Sequence, residues 1–251
     1  MSDVTRAEIC VVACAEAWRG DGEVLASPFG TIPSLGARLA RATFAPDLVL
    51  TDGEAALMVG TPSVSAPADE LVREAWLPYR RVFDVVWSGR RHIMMMASQV
   101  DRYGNQNLSA IGDWRRPTTQ LIGVRGSPGN TVNHTTSYWV PSHTPRVFVE
   151  HVDMVSGVGY DRVAAQPAAG RFHEVRVVVS NLGVFDFATP DHRMRLRSVH
   201  PGVTVDEVRA ATGFDLVDDG VTETPMPSAE ELELVRDVLD PERRRDRELP
   251  G

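Results

Sequence analysis

The chain has 251 residues, 43% hydrophobic and 24% charged, close to the average of globular proteins and far from disordered or membrane-embedded compositions. Its net charge of −8 and the lack of a basic stripe argue against nucleic-acid binding, because neutralising phosphates takes clustered Lys or Arg. Arginine supplies all the basic side chains and lysine is missing, which removes Schiff-base and lysine-nucleophile chemistry.

A single domain over 1–251 is expected at this length. No apolar run of about 18 residues is present, and Asp3 stands where a signal peptide would be basic, so no membrane contact and a cytoplasmic location are expected.

Residues 5–19 read as an amphipathic helix, with Ile9, Val12, Ala13 and Trp18 apolar and a glycine turn at 20–22 closing it. Cys10 and Cys14 share one face of that helix and are read as core, since no second ligand pair accompanies them. A short apolar strand ends near Phe29. Gly30-Thr31-Ile32-Pro33 is then a tight turn into a helix through Leu35, Leu39 and Ala40. The run 47–51, bounded by Pro46 and Gly53, fits a buried parallel strand with Asp52, Gly53 and Glu54 at its end.

A helix is predicted over 67–76, with Pro67 in its first turn and Asp69 and Glu70 near its N-terminus, stopping before Pro78. Strands are predicted at 92–100, 119–124, 146–155 and 173–180. Met94, Met95 and Met96 in the first of these read as core rather than ligand contacts. Capping boxes at 204–207 and 228–231 open helices that end at Gly213 and Leu239. The tail 241–251 reads as too charged to pack, with 242–251 mobile. The alternation points to an α/β fold, an open and mostly parallel sheet flanked by helices, with ligands at the carboxyl ends of strands.

Walker, dinucleotide-binding, nucleophile-elbow and zinc-protease motifs are all missing, and the seven histidines lack metal-ligand spacing, so no metal is expected. Three glycine-bearing turns remain: 30–33, 52–54 and 126–130. Glycine lets backbone N–H groups approach a phosphate or thioester oxygen, although ordinary strand-to-helix turns use it equally.

Several stretches in order resemble the β subunits of class I coenzyme A transferases, in the branch near glutaconate CoA-transferase. They are Gly30-Thr31-Ile32-Pro33-Ser34-Leu35-Gly36-Ala37-Arg38-Leu39-Ala40, then 99–107 with Ile111-Gly112-Asp113, then Gly126-Ser127-Pro128-Gly129-Asn130. Phe148-Val149-Glu150-His151-Val152-Asp153, Leu182-Gly183-Val184-Phe185, 200–205 and Thr212-Gly213-Phe214 follow. The resemblance implies a CoA-transferase-like fold, a partner α subunit in a heterodimer that doubles to α2β2, and an acyl-CoA bound at the subunit junction. Coenzyme A would enter as part of the substrate, with no other cofactor. Gly30, Gly53, Gln99, Asp101, Arg102, Gly126, Ser127, Gly129 and Asn130 are the candidate CoA- and substrate-binding residues.

In the transferases a glutamate after the strand equivalent to 48–51 attacks the thioester. Here Gly53 takes that place and Glu54 stands one residue later. The pattern resembles the CoA-transferase-like hydrolases of actinobacterial steroid catabolism, which open the last steroid ring of a cyclohexenone-carboxyl-CoA. Three readings follow: such a hydrolase subunit with its main base in the partner, a true transferase using Glu54, and a non-catalytic scaffold subunit.

Overall fold

A computed structural model describes residues 4–53, 55–88 and 90–249. Helix α1 (Arg6–Glu16) is followed by β1 (Leu25–Pro28) and α2 (Thr31–Ala42), then by a small antiparallel sheet of β2 (Leu50–Thr51), β3 (Ala56–Met58) and β4 (Arg73–Trp76). Helix α3 (Tyr79–Ser88) leads into β5 (Arg91–Met96). Two ribbons, β6 (Gln99–Val100) with β7 (Gln106–Asn107) and β8 (Ala110–Ile111) with β9 (Thr119–Gln120), precede α4 (Ser127–Asn133) and β10 (Thr135–Val140). Then come α5 (Tyr160–Ala164), β11 (Glu174–Ser180), β12 (Gly183–Asp186), β13 (Arg195–Val199), α6 (Val205–Ala211), β14 (Thr222–Glu223) and α7 (Ala229–Glu233), the last continuing as a π-helical stretch, Leu234–Leu239.

The described residues form a seven-stranded sheet in the order β1-β5-β10-β11-β12-β13-β14. Its first four strands are mutually parallel, β12 alone runs the other way, and β13 and β14 return to the direction of the first four. Both faces of the sheet are covered, so β5, β10 and β11 bury side chains on either side. Met94 and Trp139 point toward α1 and α2, whereas Ile93, Met95 and Tyr138 fill the opposite core. Met96 emerges half-way into solvent. Helices α1 and α2 approach closely at Gly36, where a Cβ would lie 2.8 Å from Cys14 Cβ and 2.9 Å from Ala15 N. Cys10 and Cys14 are buried there as expected.

Several sequence expectations need correction. Residues 67–76 form no helix: Pro67 starts a turn closed by Glu70 N donating to Pro67 O at 3.0 Å, and 73–76 pair as β4 on the edge of β3. The helix begins after Pro78, whose fixed φ suits a first turn. Strand 119–124 shortens to Thr119–Gln120. Along 146–155, pairing among the described residues is limited to Phe148 with Val100, because Val147 N and Phe148 N both donate to Thr144 O at 2.9 Å and curl the chain.

The tail does pack through residue 249. Arg245 is 2% exposed and donates to Asp240 Oδ2 at 2.9 Å and Glu8 Oε1 at 3.0 Å, while Arg236 reaches Glu8 at 2.7 Å. High charge density did not mean solvation because the charges are matched and hydrogen-bonded. Burial opposes the Glu8 charge, yet hydrogen bonds from Arg236 and Thr5 N, with the nearby guanidiniums of Arg236 and Arg245, hold its carboxyl down at about 2. Among the described residues no helix is long and apolar enough to cross a membrane.

Candidate active site

A cleft of about 670 Å3 runs along β1 and its C-terminal turn, walled by α2 on one side and the 50–56 hairpin on the other. Gly30 and Gly53, from two of the three glycine turns, both line it. Gly30 has φ 109° and ψ 161°, a conformation that L side chains rarely adopt, and a Cβ there would sit 2.3 Å from Glu248 Oε1. The first turn is not open to an anion in the way the motif suggests. Glu248 Oε2 already accepts from Ile32 N at 2.8 Å, so the chain's own carboxylate caps α2.

The second turn is built around Asp52. Its Oδ1 accepts from Ala55 N at 2.9 Å and Ala56 N at 3.0 Å, and its Oδ2 faces Arg73 Nε at 3.3 Å. Gly53 has φ 83°, and no described residue beyond its chain neighbours lies within 4 Å of where a Cβ would stand. Glu54, the candidate catalytic carboxylate, lies outside the described residues.

The third turn reaches the cleft indirectly. Gly126 precedes α4, and Gly129 allows α4 to lie against α3, since a Cβ there would meet Val86 Cγ1 at 2.6 Å. Ser127 Oγ donates to Gln106 Oε1 at 2.9 Å inside the protein. Asn130 Oδ1 accepts from Arg91 Nη1 at 3.1 Å, and Arg91 lines the cleft.

Gln99 and Asp101 lie in a buried polar network. Gln99 Oε1 accepts from Asn107 Nδ2 at 2.7 Å and Asp153 N at 3.0 Å. Asp101 accepts from Tyr103 N and Asn105 N, both at 3.0 Å; burial nevertheless pushes its carboxyl up. Arg102 ion-pairs with Glu150 in a separate hollow of about 620 Å3 that also holds Arg209 and Asp215. The ion pair in that wall, Arg102 with Glu150, lies at the surface, where such pairs are individually weak. Gly30 and Gly53 are thus brought together, Asn130 joins them through Arg91, and Gln99, Asp101, Ser127 and Arg102 lie elsewhere.

Sequence reasoning missed Ser27, Arg38 and Arg91 in the cleft. A signal existed for Arg91: with His92 it opens the otherwise apolar run of β5. Thr31, Ser34 and Arg38 likewise form a polar stripe along α2 at helical spacing.

One further arrangement has triad order. His92 Nδ1 meets Asp21 Oδ2 at 2.6 Å and His92 Nε2 meets Ser137 Oγ at 2.9 Å. Ser137 is 0% and His92 1% exposed, so no substrate reaches the hydroxyl. This relay holds the sheet to the turn that follows α1, with Arg176 Nη1 also on Asp21 at 2.6 Å.

No family model matches the chain. It is 57% identical over 252 residues to the cholesterol ring-cleaving hydrolase IpdB subunit of Rhodococcus jostii, covering 99% of this chain and 98% of that one. The chain belongs to the IpdB family. An IpdB-type chain is expected to superpose on the crystal structure of Rhodococcus jostii IpdAB, and this one does, with a TM-score of 0.95, 55% identity and full coverage of both chains. The fold is shared more widely. Glutaconate coenzyme A-transferase from Acidaminococcus fermentans superposes with a TM-score of 0.84 at 22% identity, covering 97% of each chain, which establishes the CoA-transferase-like architecture.

Proposed function

We propose that this chain is the B subunit of a heteromeric CoA-transferase-like hydrolase that breaks a carbon–carbon bond in the last steroid ring of a cyclohexenone-carboxyl-CoA. The observation that supports it most is the 57% identity to a cholesterol ring-cleaving hydrolase subunit across 99% of the chain. The partner is the A-type subunit, the assembly α2β2 and the compartment the cytoplasm. Coenzyme A enters with the substrate, and no other cofactor takes part.

In this reaction water adds to a ring carbonyl, the adjacent carbon–carbon bond breaks, and its electron pair moves into the neighbouring carbonyl as an enolate that is then protonated. The thioester survives. The base that activates water belongs to the partner, and this chain supplies the pocket and a positive field. The turn at Gly53 supports hydrolysis over covalent transfer. It stands where the transferase resemblance places the nucleophile, and its φ of 83° disfavours any side chain there.

An uncovered apolar face supports the need for a partner. Val72 just before β4, Trp76 on β4, and Tyr79 and Trp87 on α3 are exposed, and Val86 is the buried residue of α3. The test is to co-express both subunits and incubate the complex with the ring thioester in 18O-labelled water. One 18O in a new carboxylate, with coenzyme A still attached, supports the reading. Release of free coenzyme A, or transfer to an added acid, contradicts it.

A further inference from the structure

Arg91 is 7% exposed, yet among the described residues no carboxylate pairs with it. Its Nε donates to Ser27 Oγ at 2.8 Å and its Nη1 to Asn130 Oδ1 at 3.1 Å, both neutral acceptors. Asn130 is itself held, its Oδ1 also 2.9 Å from His134 Nε2. Arg38 lines the same cleft and donates to the backbone carbonyls of Pro62 at 3.0 Å and Ser34 at 3.1 Å. The other charges described along the cleft are already matched, Asp52 by Arg73 at 3.3 Å and Arg244 by Glu242 at 3.1 Å.

Burial pushes the Arg91 guanidinium down to about 10, which leaves it cationic at neutral pH. A buried cation with no counter-charge is unfavourable in the folded protein unless something pairs with it. The planar fork of a guanidinium matches carboxylate and phosphate oxygens. Two neutral anchors fix this fork at the wall of an open cleft, so the counter-charge is expected from whatever enters.

We propose that Arg91, positioned by Ser27 and Asn130 and assisted by Arg38, is an anion subsite that pairs with a carboxylate or phosphate of the acyl-CoA substrate. This rests on the acyl-CoA reading above.

The test uses the co-expressed complex, as wild type and as Arg91→Met, titrated calorimetrically with coenzyme A, propionyl-CoA and succinyl-CoA. Arg91→Met is expected to weaken at least one ligand about tenfold or more, the loss of a charge-assisted pair. It should do so without lowering the ligand-free melting temperature, which a merely structural arginine would lower. Weakening confined to succinyl-CoA assigns the anion to the acyl carboxylate, and weakening of all three assigns it to a phosphate. Unchanged affinities, or loss of co-purification with the partner subunit, overturn the proposal. If Arg91→Met does not fold, Ser27→Ala removes one anchor and must weaken the same ligand; no change there overturns it equally. Wild-type complex that binds none of the three overturns the acyl-CoA reading instead.

Discussion

Glu248 Oε1 accepts a hydrogen bond from Trp139 Nε1 at 2.9 Å, tying the C-terminal segment to the inner strand β10 of the sheet. Because Glu248 Oε2 also caps α2 at Ile32 N, one carboxylate joins tail, sheet and cleft wall. Glu248→Ala leaves a buried indole N–H and a helix N–H unpaired. Each costs about 1–3 kcal/mol, so urea unfolding should show a loss of several kcal/mol; a loss near zero would mean the tail is not part of the fold.

The two cleft glycines differ in a way substitution can read. Gly30→Ala adds a Cβ 2.3 Å from Glu248 Oε1 on top of an unfavourable φ, whereas Gly53→Ala meets only the φ penalty. The strain alone is about 1–3 kcal/mol. Gly30→Ala should therefore destabilise more than Gly53→Ala in parallel denaturant melts, and the reverse order would contradict the crowding.

Much of the architecture was legible because burial leaves a periodic trace. The capping boxes at Thr204 and Ser228, the buried face of α1 and the apolar runs of β5 and β11 came from local rules. Strand β10 was missed because Thr135, Thr136 and Ser137 look like loop residues, and the hydroxyls of Ser137 and Thr135 are satisfied by His92 and Glu174, both distant in sequence. The tail was misread for the same reason, since one of the two carboxylates that bury Arg245 is Glu8 at the other end of the chain. In the site, glycine turns announced Gly30 and Gly53, but Arg91 acquires its meaning from what it lacks, which a sequence does not display.

Acid should destabilise the fold through buried histidines. Burial pushes His134 and His200 down to about 4 and His143 to about 3. The unfolded chain, with histidine near about 6.5, binds more protons in between. Stability is therefore complete above that value and falls as pH drops toward 4. The expected loss is roughly 1 kcal/mol per histidine between pH 6.5 and 5.5, and His143→Gln should reduce the slope. Urea midpoints that stay flat from pH 7.5 to 5.5 would contradict this.

Burial raises the Cys10 thiol to about 12 and Cys14 well above its ordinary value. Reaction needs the thiolate and access. Iodoacetamide followed by mass spectrometry should leave both unmodified in the native protein and label both in urea; native labelling would place them outside the core.

Removing the exposed aromatics should disturb assembly rather than folding. Trp76→Ser with Trp87→Ser takes two large rings from an exposed face, and interface tryptophans often contribute about 2 kcal/mol or more. Co-purification of the partner subunit should drop while the melting temperature of the isolated chain holds. Undiminished co-purification would place the partner on another surface.

Hydrolysis and coenzyme A transfer are separated by assaying the two-subunit complex for CoA exchange between its thioester and free carboxylic acids, with Glu54→Gln alongside wild type. Wild type is expected to show no exchange and a ring-opening activity that Glu54→Gln largely retains. Robust exchange by wild type that Glu54→Gln abolishes would make Glu54 the nucleophile and the protein a transferase.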